Sequence, residues 1–267
     1  EVDGAAYWMS ENGFFRYAGK LESLPCLVED FVFDNINMES GNQMVSAGLN
    51  NLFGEVTWFY PTTGSSVVNR MVTYNYFDSL NLKRPVWTVG SLARTMWEDS
   101  AVFGKPHALE YSASVDSSFD VVGNTEGSTI YYEHETGTDQ VQGGATTAVI
   151  ASISSGDFDI TQRVIRGAQT GMPDLRGDGE FMMKIRRFIP DFISQTGNTQ
   201  VTLQLRNYPN DSQASSSLGP FTVSSATQKV DTRARARAIA VKIANTAASQ
   251  SWKLGTFRLD IQPDGRR

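Results

Sequence analysis

Two histidines, His107 and His134, are the only imidazole bases in the 267 residues. His134 lies between Glu133 and Glu135 in YYEHETGTD. On a strand the two glutamates share one face and His134 takes the other, so the three do not converge on a metal, and a surface hairpin end is the expected setting. His107 follows Lys105-Pro106 and reads as a loop residue. Asp157 and Asp159, in GDFDI, put two carboxylates on one strand face. A glycosidase pair must work across a cleft, and nothing in the sequence supplies one. Asp174, Asp178 and Glu180, in PDLRGDGE, suggest a calcium loop only superficially: the spacing departs from the EF-hand, and Arg176 stands where a ligand is wanted. The RGD triplet at Arg176–Asp178 is too short to carry an argument. The one cysteine, Cys26, cannot form an internal disulfide or a cysteine metal site; it reads as a small buried apolar residue and fits assembly in a reducing cytoplasm. No GxSxG, HExxH or Walker-type segment is present. The expectation is a non-enzymatic chain with no catalytic residue, metal or cofactor.

Charge is more informative. Residues 1–160 hold 7 Lys/Arg against 21 Asp/Glu, and residues 161–267 hold 16 against 8, a reversal from −14 to +8. Such a reversal suggests two surfaces with different partners, or an acidic region that simply neutralises a basic one. Within the basic stretch Arg233, Arg235 and Arg237 alternate, so on a strand they form a comb on one side. The comb suits nucleic-acid phosphates or an acidic neighbour such as residues 1–160 of another copy. No aromatic stacking platform is interleaved with these arginines, so a subunit interface is preferred.

The elements that must position these residues read as strands. Glu55–Tyr60 (EVTWFY) is β-branched and aromatic, and Pro61 stops it; RMVTYNY at 70–76 alternates with period two; VWTV at 86–89 ends at Gly90, after a loop through Asn81, Lys83 and Pro85. Three strands in so short a span have the spacing of a propeller blade. Further blade strands are expected at AYWM, GFFRY (13–17) and LVEDFVF (27–33), and then at 108–115, 119–122 and 129–133. DQVQGGATTA (139–148) reads as a linker. Beyond it, strands at 148–153, 158–160, 181–189, 200–206, 221–223, 235–243 and 252–261, with a polar loop at 162–179, fit a β-sandwich. In QVTLQLR, Val201, Leu203 and Leu205 share one face. In RARAIAVKI, Arg235, Arg237, Ile239, Val241 and Ile243 do, which favours a strand over a helix there. The expected fold is all-β: propeller-like antiparallel blades over 1–140, then a C-terminal sandwich over 141–267. Hydrophobic residues at 40% and charged at 19% suit a folded chain. No apolar run is long enough for a membrane span. The start, EVDGAAYWMS, lacks an initiator Met and the features of a signal peptide, and the blades look too few to close a ring, so a longer chain is expected.

AYWMSENGFFRYAGKLESLPCLVEDFVF, EVTWFYP followed by NRMVTYNY, SLARTMW, FMMKIRRFIPDF, DTRARARAIAVKI and RLDIQPDGRR together resemble the C-terminal part of tail nozzle or hub proteins of short-tailed bacteriophages. These are the propeller-bearing, packaged-DNA stabilisation type. The resemblance implies a virion protein of the tail, assembled in the host cytoplasm. It implies a homo-oligomeric, commonly sixfold, ring that neighbours the tail adaptor, extends the DNA conduit and retains packaged DNA without sequence-specific binding. Family members are usually longer than this chain. A glycan- or receptor-binding tail module is the alternative, with Trp8, Trp58, Trp87 and Trp97 as groove candidates.

Overall fold

The computed structural model describes residues 2, 4–37, 44–99, 102–112, 128–142, 144–160, 181–208 and 216–265. The chain divides into two compact units, Glu1–Thr136 and Gly137–Arg267. Both are built from antiparallel strands, as the sequence patterning requires, with two short helices among the described residues.

Unit 1 contains three consecutive meanders. The first is β1 (Ala6–Ser10), β2 (Gly13–Tyr17) and β3 (Leu21–Leu24). The second is β4 (Ser46–Asn50), β5 (Glu55–Tyr60), β6 (Arg70–Asn75) and β7 (Trp87–Gly90). The third is β8 (Met96–Glu98), β9 (His107–Ser112) and β10 (Ser128–Glu133). In each, the strands lie side by side in chain order, the up-and-down order of a propeller blade. Alternation along β5 explains how the three sheets stack. Trp58 points to one side, with its ring 4.9 Å from Phe14 of β2. Phe59 points to the other, 5.7 Å from Trp97 of β8. The middle sheet is therefore covered on both faces, and positions 56–60 of β5 are all buried. Across β5 and β6, Trp58 faces Val72 and Thr57 faces Thr73, whose hydroxyls bond at 2.8 Å.

Two stretches of unit 1 depart from the sequence reading. Leu27–Phe33 is not a strand: Glu29–Phe33 forms helix α1, with Glu29 and Asp30 in its first turn, where carboxylates offset the unpaired N–H groups. The segment expected as a loop through Asn81 holds helix α2 (Tyr76–Leu82). Asn75 caps it by accepting from the Asp78 N–H at 2.7 Å, and Lys83 ends it in the left-handed region, at φ 52°. The candidate strand at 119–122 lies outside the described residues.

Unit 2 carries, in chain order, β11 (Asp139–Gln142), β12 (Ala145–Ala148), β13 (Ser152–Ser154), β14 (Met183–Ile189), β15 (Phe192–Thr196), β16 (Thr199–Arg206), β17 (Ser216–Val223), β18 (Val230–Ala236), β19 (Ala238–Ala244), β20 (Ser251–Leu254) and β21 (Arg258–Pro263). The sheet β13-β19-β16-β17 and the sheet β18-β14-β21 close on one shared core, a β-sandwich. Val201, Leu203 and Leu205 of β16 meet Met183, Ile185 and Phe188 of β14 within that core. The presumed linker DQVQGGATTA is instead the hairpin β11–β12, with Gly144 at φ 82° in its turn.

The run 235–243 is not one strand. It breaks at Arg237: β18 belongs to the three-stranded sheet and β19 to the four-stranded one. In β18 the odd positions Arg233 and Arg235 are exposed, while Thr232, Ala234 and Ala236 are buried. In β19 the odd positions Ile239, Val241 and Ile243 are buried. A continuous strand would put arginine and isoleucine on one face, and burying an unpaired guanidinium costs several kcal/mol, on the order of the penalty for any buried ion. The bend swaps the faces as the chain passes from one sheet to the other.

Candidate functional site

Three places gather chemistry-bearing side chains. The first is the outer face of β18-β14-β21 in unit 2. The central strand β14 sets Lys184 opposite Arg235, and Arg187 between Asp231 of β18 and Asp260 of β21. Arg187 lies 3.3 Å from the Asp231 carboxylate and 3.8 Å from that of Asp260. Lys229 reaches Asp231 at 3.8 Å, and Arg235 contacts Asp264. A bulge between Ile185 and Arg187 adds Arg186 to the exposed surface. Lys184, Arg186 and Arg233 form no ion pair among the described residues, so the face keeps a positive surplus. Of the expected comb, Arg233 and Arg235 share this face; Arg237 sits in the bend, half-buried. Asp264, which neutralises Arg235, lies just beyond β21, a placement that alternation within one segment does not reveal.

The second is a buried network in unit 1. Arg94 is 4% exposed. Its Nη1 donates to Glu110 at 2.7 Å and to the Ala93 carbonyl at 2.6 Å. Its Nε donates to Nε2 of His134 at 2.9 Å, and the guanidinium lies 3.9 Å from the centre of the Tyr132 ring. His134 also packs on Trp97, with ring centres 4.5 Å apart. His134 is therefore not a surface hairpin residue. Accepting at Nε2 fixes it as the neutral imidazole with its proton on Nδ1. Burial, and then the Arg94 charge, push it down to about 4. The bonds are made within the network, so its chemistry is that of a structural clamp. Nothing in the sequence near His134 signals Arg94, which lies 40 residues away. His107 is the first residue of β9, and its ring bonds the Tyr131 hydroxyl.

The third is a cleft of about 490 Å³ in unit 1. Its lining includes Tyr7, Tyr74 and Tyr76 together with Arg16, Lys83 and Arg84. The Tyr7 ring lies 6.1 Å from Tyr74 and 6.2 Å from Tyr76. Arg16 donates to the Tyr7 hydroxyl at 3.2 Å and pairs with Glu22 at 3.2 Å. Tyr74 belongs to β6 and Tyr76 opens α2, so the period-two pattern of RMVTYNY runs one residue past the strand; the cations come from β2 and from the turn after α2.

The remaining candidates are committed elsewhere. Asp157 pairs with Arg206 at 2.7 Å. The Cys26 thiol is pushed up to about 11, chiefly by burial, which leaves it protonated and unreactive. Trp58 is 2% exposed, Trp87 packs 4.8 Å from both Phe14 and Tyr74, and Trp97 stacks on Phe59, so three of the four groove tryptophans are packing residues. Trp8 is 38% exposed and stacks on Phe15. Asp174, Asp178, Glu180 and the RGD triplet lie outside the described residues. Among the described residues no group of three or more His, Cys, Asp or Glu is placed to hold a metal ion, and no helix is long and apolar enough to cross a membrane. The chain matches no protein-family model and no curated protein sequence.

Proposed function

We propose that the chain is a structural subunit of a bacteriophage tail that assembles with copies of itself into a nozzle or hub ring, extending the DNA conduit and retaining packaged DNA. The observation that carries this reading is the division of charge between the two units. Unit 1 holds 7 Lys/Arg against 18 Asp/Glu, and unit 2 holds 16 against 11, balances of −11 and +5. The positive surplus on the outer face of β18-β14-β21 offers the acidic unit of a neighbouring copy a complementary surface. A net negative surface toward a channel repels phosphate and keeps DNA from sticking. A middle meander covered on both faces, and a buried network whose bonds are made internally, suit a load-bearing part better than a catalyst.

Negative-stain imaging of the purified chain tests the proposal. A ring with a central channel is expected. Particles that remain monomeric at every concentration, or a ring whose lumen is lined by Arg233 and Arg235, would overturn it. The competing reading, a glycan-binding tail module, draws on the tyrosine-lined cleft of unit 1.

A further inference from the structure

We propose that this cleft binds a small sugar bearing a carboxylate, such as a sialic or uronic acid. The site goes beyond the assembly reading and does not depend on it. Its volume, about 490 Å³, falls among clefts that take small ligands.

The distribution of charge is the first argument. Unit 1 is strongly acidic and has only seven basic residues, yet three of them, Arg16, Lys83 and Arg84, line this one cleft. Arg16 is paired with Glu22. Lys83 and Arg84 are exposed and form no ion pair among the described residues. Two cations without partners therefore stand at a cleft in a unit whose net charge is −11.

The backbone is the second. Lys83 adopts φ 52°, a left-handed conformation that disfavours a residue with a Cβ. Glycine would fit the turn after α2 more easily. Lysine here keeps a charge at the rim at some conformational cost, a pattern associated with functional positions.

The aromatic wall decides the class of ligand. Tyr7, Tyr74 and Tyr76 line the cleft while packing against the core of unit 1, and aromatic rings in a cleft wall suit the C–H face of a sugar ring. Tyr7 and Tyr76 pack roughly parallel to each other, 28° between planes, which leaves no slot for a base to intercalate. A polyanion such as a nucleic acid strand would meet the repulsion of the whole acidic unit, whereas a single carboxylate meets mainly the local cations.

Titration of the full chain with N-acetylneuraminic acid and with glucuronic acid, followed by ligand-observed NMR, tests the site; glucose and a short oligothymidylate serve as comparisons. Saturable binding of at least one acidic sugar is expected, at least tenfold tighter than glucose. A double variant, Lys83→Gly with Arg84→Ala, should lose at least tenfold in affinity while its circular dichroism stays unchanged, because glycine suits the backbone at 83 and both side chains are exposed. Tyr76→Ala should weaken neutral and acidic sugars alike. The proposal is overturned if neither acid binds saturably, if glucose binds as well as the acids, if the double variant binds unchanged, or if the oligothymidylate competes for the same residues. The titration reads the cleft and the imaging reads the oligomer, so a negative result here leaves the assembly test standing, and the reverse also holds.

Discussion

Arg94 shows how a single charge can be kept inside a β structure: Glu110 neutralises it, Ala93 and His134 accept its hydrogens, and Tyr132 covers its face. The arrangement requires His134 to stay neutral, since a protonated ring has no lone pair for Arg94 and adds a second cation beside it. This fixes the sign of a pH effect. The unfolded chain protonates His134 near its ordinary 6.5, and the folded one only near 4. The stability contributed by the neutral ring is fully present above about 6.5 and falls away as the pH drops from there toward 4. A difference of that size is worth about 3 kcal/mol for a fully buried group, and screening at this partly buried ring reduces it to roughly 1–2 kcal/mol. Thermal melts of the full chain between pH 7 and pH 5 should show the decline, and His134→Gln, which keeps an acceptor and cannot titrate, should flatten it. An unchanged slope in that variant would remove His134 from the account. At this scale the sequence revealed the scarcity of imidazoles but not the environment, because the partners of His134 come from distant segments.

Among the elements, the contact between the second and third meanders depends on a missing side chain. Gly48 of β4 lies under Trp97, and a Cβ there would come within 2.4 Å of the indole Cγ. Trp97 also donates from Nε1 to the Leu49 carbonyl at 2.6 Å, so it cannot move away without losing that bond. Gly48→Ala should therefore destabilise unit 1 by about 1–3 kcal/mol, as overpacking does elsewhere, with a change in tryptophan fluorescence. Gly156→Ala, which adds a Cβ in open space, is the matched control and should be neutral in urea unfolding. Strands with a strong signal were legible: EVTWFY through its β-branched and aromatic content, RMVTYNY as a strand through Asn75, and QVTLQLR through an alternation that its burial repeats. Short apolar runs were not, as LVEDFVF shows: its carboxylates fit a helical first turn, and a run so short carries no decisive period. The hairpin in DQVQGGATTA was hidden because small polar residues suit a turn-rich ribbon as well as a linker.

For the whole molecule, two opposed charge balances in one chain make association a question of ionic strength. If the positive face of β18-β14-β21 meets the acidic unit of another copy, assembly should weaken as sodium chloride rises from about 50 mM to about 500 mM, where the Debye length falls well below 10 Å. Arg233→Glu with Arg235→Glu should shift sedimentation velocity profiles toward the monomer at low salt, while the melting temperature of unit 2 falls only slightly, because both side chains are exposed and the Arg235–Asp264 pair that is lost is a surface one. Assembly indifferent to both salt and charge reversal would point to an apolar interface instead. The charge division was legible from composition alone. The ion pairs that blunt it, Arg187 with Asp231 and Asp260, were not, because they join strands far apart in sequence.

The bend at Arg237 has a mechanical consequence. β18 and β19 are one stretch of backbone with a single residue between them, yet they serve opposite sheets of the sandwich. Neither sheet can peel open without tugging on the other through that residue. The sandwich is thereby made to open as one cooperative block, and the amides of β14 and β16, on opposite sides of the core, should exchange with solvent at a common slow rate.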